Sequence, residues 1–122
     1  MNELIERIFK EFMCPVSFLF YGGKATTYVT YQQTDADSTL CGDNELLNYV
    51  DYYDFDIYSK GNYFPIIEAV KKILTANGFM FQPSRSSGDM YETDTKYYHK
   101  TLCFAIERSE KTWQELDSII SL

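Results

Sequence analysis

Apolar residues recur along the chain with two different periods, and the switches between them divide it into elements. Over 2–13, NELIERIFKEFM, the residues Leu4, Ile5, Ile8, Phe9 and Phe12 share one side of a helix. Glu3, Glu6, Arg7 and Lys10 take the other. Asn2 is placed to cap this helix and Pro15 to stop it. The next stretch, VSFLFYGGK, reads either as a short strand or as an apolar loop, with Gly22-Gly23 as a turn. ATTYVTYQQ, rich in β-branched and aromatic residues, reads as a strand. TDADSTLCGDN interrupts it with small polar and acidic residues. The region 33–48 therefore reads as a hairpin loop, mobile in a free subunit.

LLNYVDYYDFDIYSK returns to period two. Tyr53, Phe55 and Ile57 occupy one face, and Tyr52, Asp54, Asp56 and Tyr58 the other. Carboxylates on the second face predict contact with water or a polar partner. GNYFPIIEAVKKILTANG is the best helix, with Asn62 as N-cap, Pro65 in the first turn and Gly78 just past the end. Its buried stripe is predicted as Phe64, Ile67, Val70 and Ile73 or Leu74. FMFQPSR is extended, SSGD turns, and KYYHKTLCFAIER forms a long last strand with Leu102, Phe104 and Ile106 toward the core. TWQELDSIISL opens on a capping box, Thr112 with Glu115, so 108–122 reads as a helical extension.

The order α-β-β-α-β-β-α predicts an α+β domain spanning 1–122. Its expected form is an antiparallel sheet of about four strands with helices packed on one face. At 122 residues one domain with a core of its own is expected, and a 45% apolar composition argues against disorder. The net charge of −7 argues against phosphate binding as the main task. Cys14, Cys41 and Cys103 show no close pairing, and neither a leader segment nor a membrane-length apolar run is evident. A soluble, reduced, intracellular protein is the expectation.

Candidate chemistry is limited. A calcium loop starting at Asp35 needs Gly at its sixth position and Glu at its twelfth, where Leu40 and Leu46 stand. A phosphate loop at Gly22-Gly23-Lys24 lacks the following Ser or Thr. Three cysteines and the single His99 number enough ligands for zinc. However, His99 and Cys103 stand four residues, about 13 Å, apart on a strand. A Cys–His nucleophile pair depends on a meeting in the fold that the sequence does not specify. The carboxylates of DMYETDTKYYHK, 89–100, read as turn and strand-entry residues or as an acid–base pair. No catalytic residue, metal or cofactor is assigned. The abundant tyrosines, which combine large area with a polar tip, point to an assembly surface or to ordinary cross-strand pairs on a wet sheet.

Three segments in order, TYVTYQQ, DFDIYSKGNYFPIIEAVKKILTANGF and DMYETDTKYYHKTLCF, resemble tail completion proteins of long-tailed phages and prophages of Gram-positive bacteria. These are the tail-terminator, or head–tail joining, type. Ser59, Lys60, Gly61, Asn62 and Tyr63 match one motif of that family. Tyr91, Glu92, Asp94, Thr95, Tyr98, His99 and Lys100 match the other. The resemblance covers about residues 26–106; the segment with Trp113 lies outside it.

It implies a homo-oligomeric ring, expected to be a hexamer, in the virion tail, assembled in the host cytoplasm. Such a ring would cap the tube of major tail protein and meet the head connector, with DNA passing through unbound and no membrane involved. Candidate interface residues are Asp35, Asp37, Tyr52, Asp54, Asp56, Tyr58, Tyr91, Tyr98 and His99. Gly61, Asn62 and Gly78 are assigned to turns and caps. The alternatives are a small ligand-binding or regulatory module using the tyrosine face as its pocket, and a hydrolase built on His99.

Overall fold

The computed structural model of the chain describes residues 1–41 and 46–109. The elements run α1 (Asn2–Ile8), β1 (Val16–Phe18), β2 (Thr27–Cys41), β3 (Leu46–Ser59), α2 (Phe64–Ala76), β4 (Met80–Phe81), a single 3₁₀ turn (Pro83–Arg85), β5 (Met90–Glu92) and β6 (Tyr97–Ser109). The class is α+β, with one six-stranded mixed sheet and two helices among the described residues. The strand order is β1-β2-β3-β6-β4, and β5 also pairs with β6. No helix among the described residues is long and apolar enough to cross a membrane.

Three long antiparallel strands carry the sheet. Tyr31 pairs with Phe55 and Phe55 with Leu102, so apolar positions of β2, β3 and β6 fall on one face. Val29, Tyr31, Tyr53, Phe55, Ile57, Leu102, Phe104 and Ile106 are buried there. Ile5 and Phe9 join the same cluster from the N-terminal segment, and Ile66, Ile67, Val70 and Leu74 join it from α2. Phe55 sits at its centre, with ring contacts to Phe9, Tyr31, Phe79 and Phe104.

The sheet departs from the four-strand antiparallel expectation because β1 runs parallel to β2. Val29 N–H donates to the Pro15 carbonyl, and Leu19 N–H to the Tyr31 carbonyl. Alternation in a sequence reveals the faces of a strand but not its direction. β5 is the other addition; it and β4, which falls in the expected extended segment FMFQPSR, are both laid along the outer edge of β6.

The expected loop at 33–48 is also corrected. β2 continues to Cys41 and β3 starts at Leu46, with paired residues along that whole length. Asp35, Asp37 and Ser38 therefore belong to a strand, because cross-strand backbone bonds outweigh their low strand propensity. The register shifts between Gln33 and Asp35, leaving Thr34 as the extra residue of a bulge.

The helix ends differ in instructive ways. α1 is cut at Ile8, and tighter turns continue the chain through Phe12. Met1, not Asn2, occupies the N-cap position. Tyr63 precedes α2 in place of Asn62, yet the Asn62 Oδ1 still accepts from Phe64 N–H at 3.2 Å. Phe64, expected in the buried stripe, is 59% exposed, since Ile66 and Tyr63 take the inward positions around it.

Gly78 ends α2 as anticipated, with φ +90°. Its N–H donates to the Thr75 carbonyl and that of Phe79 to the Leu74 carbonyl, the two bonds of a Schellman cap. Of the expected helical extension 108–122, Arg108 and Ser109 instead continue β6, and the remainder lies outside the described residues.

Candidate functional site: the open face of the sheet and its tyrosine edge

The face turned away from the helices is organised in rows across β2, β3 and β6. One row pairs Tyr28 with Tyr58 and Tyr58 with His99. The Tyr28 and Tyr58 rings stack at 5.0 Å and the Tyr58 and His99 rings at 4.1 Å. Tyr21, in the turn after β1, extends the row by stacking on Tyr28 at 4.7 Å. Its ring folds back over Gly23, where a side chain would push the ring aside, and its hydroxyl accepts from Ala25 N–H at 3.0 Å. Tyr97 closes the end of the row edge-on against Tyr28 and Tyr58, with the Lys60 ammonium 5.1 Å from its centroid. Burial, then the Asp56 carboxylate, pushes the Tyr58 phenol up to about 12.

The next row sets Thr30 against Asp56 and Asp56 against Thr101. Asp56 Oδ1 accepts from the Thr101 hydroxyl and lies 3.0 Å from His99 Nε2. A hydroxyl-activating relay places the nucleophile and the carboxylate on opposite imidazole nitrogens. Here Thr101 and Asp56 both lie toward Nε2, and the Thr101 proton goes to the carboxylate. The trio orients His99 flat against Tyr58 and does not draw a proton from Thr101.

The third row is Gln32, Asp54 and Cys103. Burial, then the neighbouring Asp56, raises Asp54, opposed by the hydrogen bond from Cys103 and by Arg85. Burial, then Asp54, pushes the Cys103 thiol up to about 11, so it remains a thiol and not a nucleophilic thiolate. Burial raises Cys14 to about 11 as well. Among the described residues no group of three or more His, Cys, Asp or Glu is arranged to hold a metal ion.

The bulge decides what the fourth row contains. Beyond it Asp35 pairs with Tyr52 and so shares the open face, where an uninterrupted alternation would turn it toward the core. Arg85 crosses from the 3₁₀ turn, lying 3.7 Å above the Tyr52 ring and 3.4 Å from Asp35. The segment carrying Arg85 is tied to β6 by backbone and serine bonds, among them Gln82 N–H to the Cys103 carbonyl at 2.8 Å and Cys103 N–H to Ser86 Oγ at 2.9 Å. It covers Cys103 and Ala105, which explains why both are buried on the otherwise open face.

Tyr91 and Tyr98 belong to a second cluster at the sheet edge. Their rings meet at 4.9 Å in the β5–β6 hairpin. Tyr98 stacks on Tyr63 at 6.0 Å, and Tyr63 contacts Phe64 at 5.4 Å. The Tyr63 hydroxyl donates to Asp89, which also lies 3.5 Å from the Lys100 ammonium. The Tyr63 bond, then Lys100, holds Asp89 below the usual carboxylate range. These residues border a surface hollow of about 470 Å³ lined by Lys60, Gly61, Asn62, Tyr63, Phe64, Asp89 and Tyr98. Gly61 N–H donates to Ser59 Oγ, which tightens the turn forming one wall.

Of the sequence candidates, Asp35, Tyr52, Asp54, Asp56, Tyr58 and His99 thus share one face. Asp37, paired with Val50, falls on that face too, one row beyond Asp35, while Tyr91 and Tyr98 form the edge. Sequence reasoning missed Arg85 and Thr101, and gave no interface role to Tyr63 or Asp89. The last three lie in or beside the two motifs, whereas Arg85 carried no signal. No protein-family model matches the chain, and no curated protein matches it significantly.

Proposed function

We propose that the chain is a structural virion assembly protein that caps a phage tail tube and joins the tail to the head connector as a ring, a hexamer in the simplest case. The observation that carries this reading is the meeting of the two segments behind the family resemblance. Ser59 pairs with Tyr98, Lys60 lies over Tyr97, and Tyr63 bonds to Asp89. Residues far apart in sequence whose pattern suggested one family therefore meet at one end of the sheet, where Tyr91, Tyr98 and Phe64 are exposed. Tyrosine-rich surfaces with polar tips suit protein contacts. The net charge of −7 suits a passage that does not hold DNA.

On this reading the protein acts in the tail of the virion after assembly in the host cytoplasm. Its partners are further copies of itself, the major tube protein and the connector. The test is polymerisation of the cognate tail-tube protein with increasing amounts of this chain. Tubes should shorten and carry a ring at one end; unchanged tube lengths and bare ends at saturating protein would contradict the reading.

A further inference from the structure

Two apolar features lie at opposite edges of the sheet. At the β1 edge the chain makes a tight turn in which Phe20 N–H donates to the Phe18 carbonyl at 2.8 Å and Leu19 takes φ 68°. A bond across two residues with positive φ is the strained form of γ-turn, and leucine enters it at a cost of about 1 kcal/mol or more. The strain holds Phe18, Leu19 and Phe20 in solvent at 44%, 56% and 75% exposure, with Met13 nearby in the chain at 63%. Backbone strain beside a run of exposed apolar groups suggests a functional role for that run.

At the other edge is the hollow walled by Tyr63, Phe64 and Tyr98. Phe64, Met90, Tyr91 and Tyr98 are 59%, 40%, 50% and 41% exposed. About four strand spacings, or roughly 19 Å, separate β1 from β5 across the sheet. A knob at one edge and a hollow at the opposite edge cannot meet within one copy.

We propose that the Phe18–Leu19–Phe20 knob of one copy seats in the Tyr63/Phe64/Tyr98 hollow of the next. The inference rests on the ring reading and names its subunit contact. Two different patches in contact make a head-to-tail interface, the kind that closes into rings. The areas agree: at roughly 200 Å² per large side chain, each patch offers on the order of 400 Å² of exposed apolar surface. Together they supply about the apolar share of an interface burying ~1,200–1,600 Å² in total. The hollow, about 470 Å³, has room for a phenylalanine ring.

The experiment is sedimentation velocity on the full chain, from micromolar to the highest soluble concentration, for wild type, Phe20→Asp and Tyr98→Asp. Phe64→Asp serves as a second hollow variant, and melting temperatures check folding. Wild type should assemble, and each variant alone should sediment as a folded monomer that still melts cooperatively. A 1:1 mixture of Phe20→Asp with Tyr98→Asp should form a discrete dimer, since one intact knob and one intact hollow remain.

Wild-type-like assembly of Phe20→Asp, a monomeric mixture, or a wild type that never assembles would overturn the proposal. If the chain's own 110–122 segment fills the hollow, the hollow variants will assemble like wild type, which also overturns it. The tube assay separates the two readings. Knob-dependent assembly without capping removes the tail function alone. Capping with knob-independent assembly removes this interface alone.

Discussion

The two faces of the sheet are built from the same three strands in the same register, yet they are held by different physics. The core face buries Phe55, Tyr31, Leu102 and Phe104 beneath the two helices, and the contacts of these residues are mainly apolar and non-directional. The open face is a set of cross-strand rows held by specific pairings: ring on ring, hydroxyl on carboxylate, guanidinium over ring. Mutation of the first should therefore be read in stability, and mutation of the second chiefly in recognition.

The sharpest way to break this contrast is Phe55→Ala. Removing a fully buried ring with four aromatic neighbours should cost about 3–5 kcal/mol by chemical denaturation. A loss under about 1 kcal/mol would mean that the core is not centred there.

Tyr58→Ala should come next. It removes the middle of the Tyr28–Tyr58–His99 stack and should cost about 1–2 kcal/mol. Tube capping should fall far more than that stability loss explains. Equal, proportionate losses would make the row structural.

Gly78→Ala should destabilise by about 1 kcal/mol, because alanine must take φ +90° to keep the cap of α2.

Asp54→Asn sharpens the electrostatic side. The folded state holds the Asp54 proton to higher pH than the unfolded chain, so the native residue loses stability as pH rises from the ordinary carboxylate range through its raised value. The variant should be more stable than wild type above that window, by less than about 1 kcal/mol, and no more stable below it. Thermal melts at several pH values check the sign.

The smallest effect should come from Tyr31→Phe. The Tyr31 hydroxyl is buried without a hydrogen-bond partner, so its removal should leave stability unchanged or raise it slightly.

The core face was legible in the sequence because burial leaves a period-two trace: Tyr53, Phe55, Ile57 and Leu102, Phe104, Ile106 stand out by alternation alone. Gly78 was legible because few other residues end a helix in that conformation. The grouping of Tyr52, Asp54, Asp56 and Tyr58 followed from the same alternation, and their pairing with His99 needed only the β3–β6 register.

What failed was whatever alternation does not encode. The direction of β1 and the continuation of β2 through Asp35 and Asp37 are set by backbone pairing. The bulge at Thr34 reverses the face of every β2 residue after it, so a parity reading of Asp35 points the wrong way. Arg85 reaches Tyr52 and Asp35 from a turn whose local sequence says nothing of its destination. Phe64 looked like core by its spacing, but the first turn of α2 leaves it in solvent.

The most direct measurement of the account is light scattering after size exclusion, alone and with tail tubes, across a wide concentration range, with electron micrographs of the largest species. Closed rings of about six 14.3 kDa chains are expected, free at high concentration or seated on tube ends. A strict monomer at every concentration, with no ring on the tubes, would contradict it.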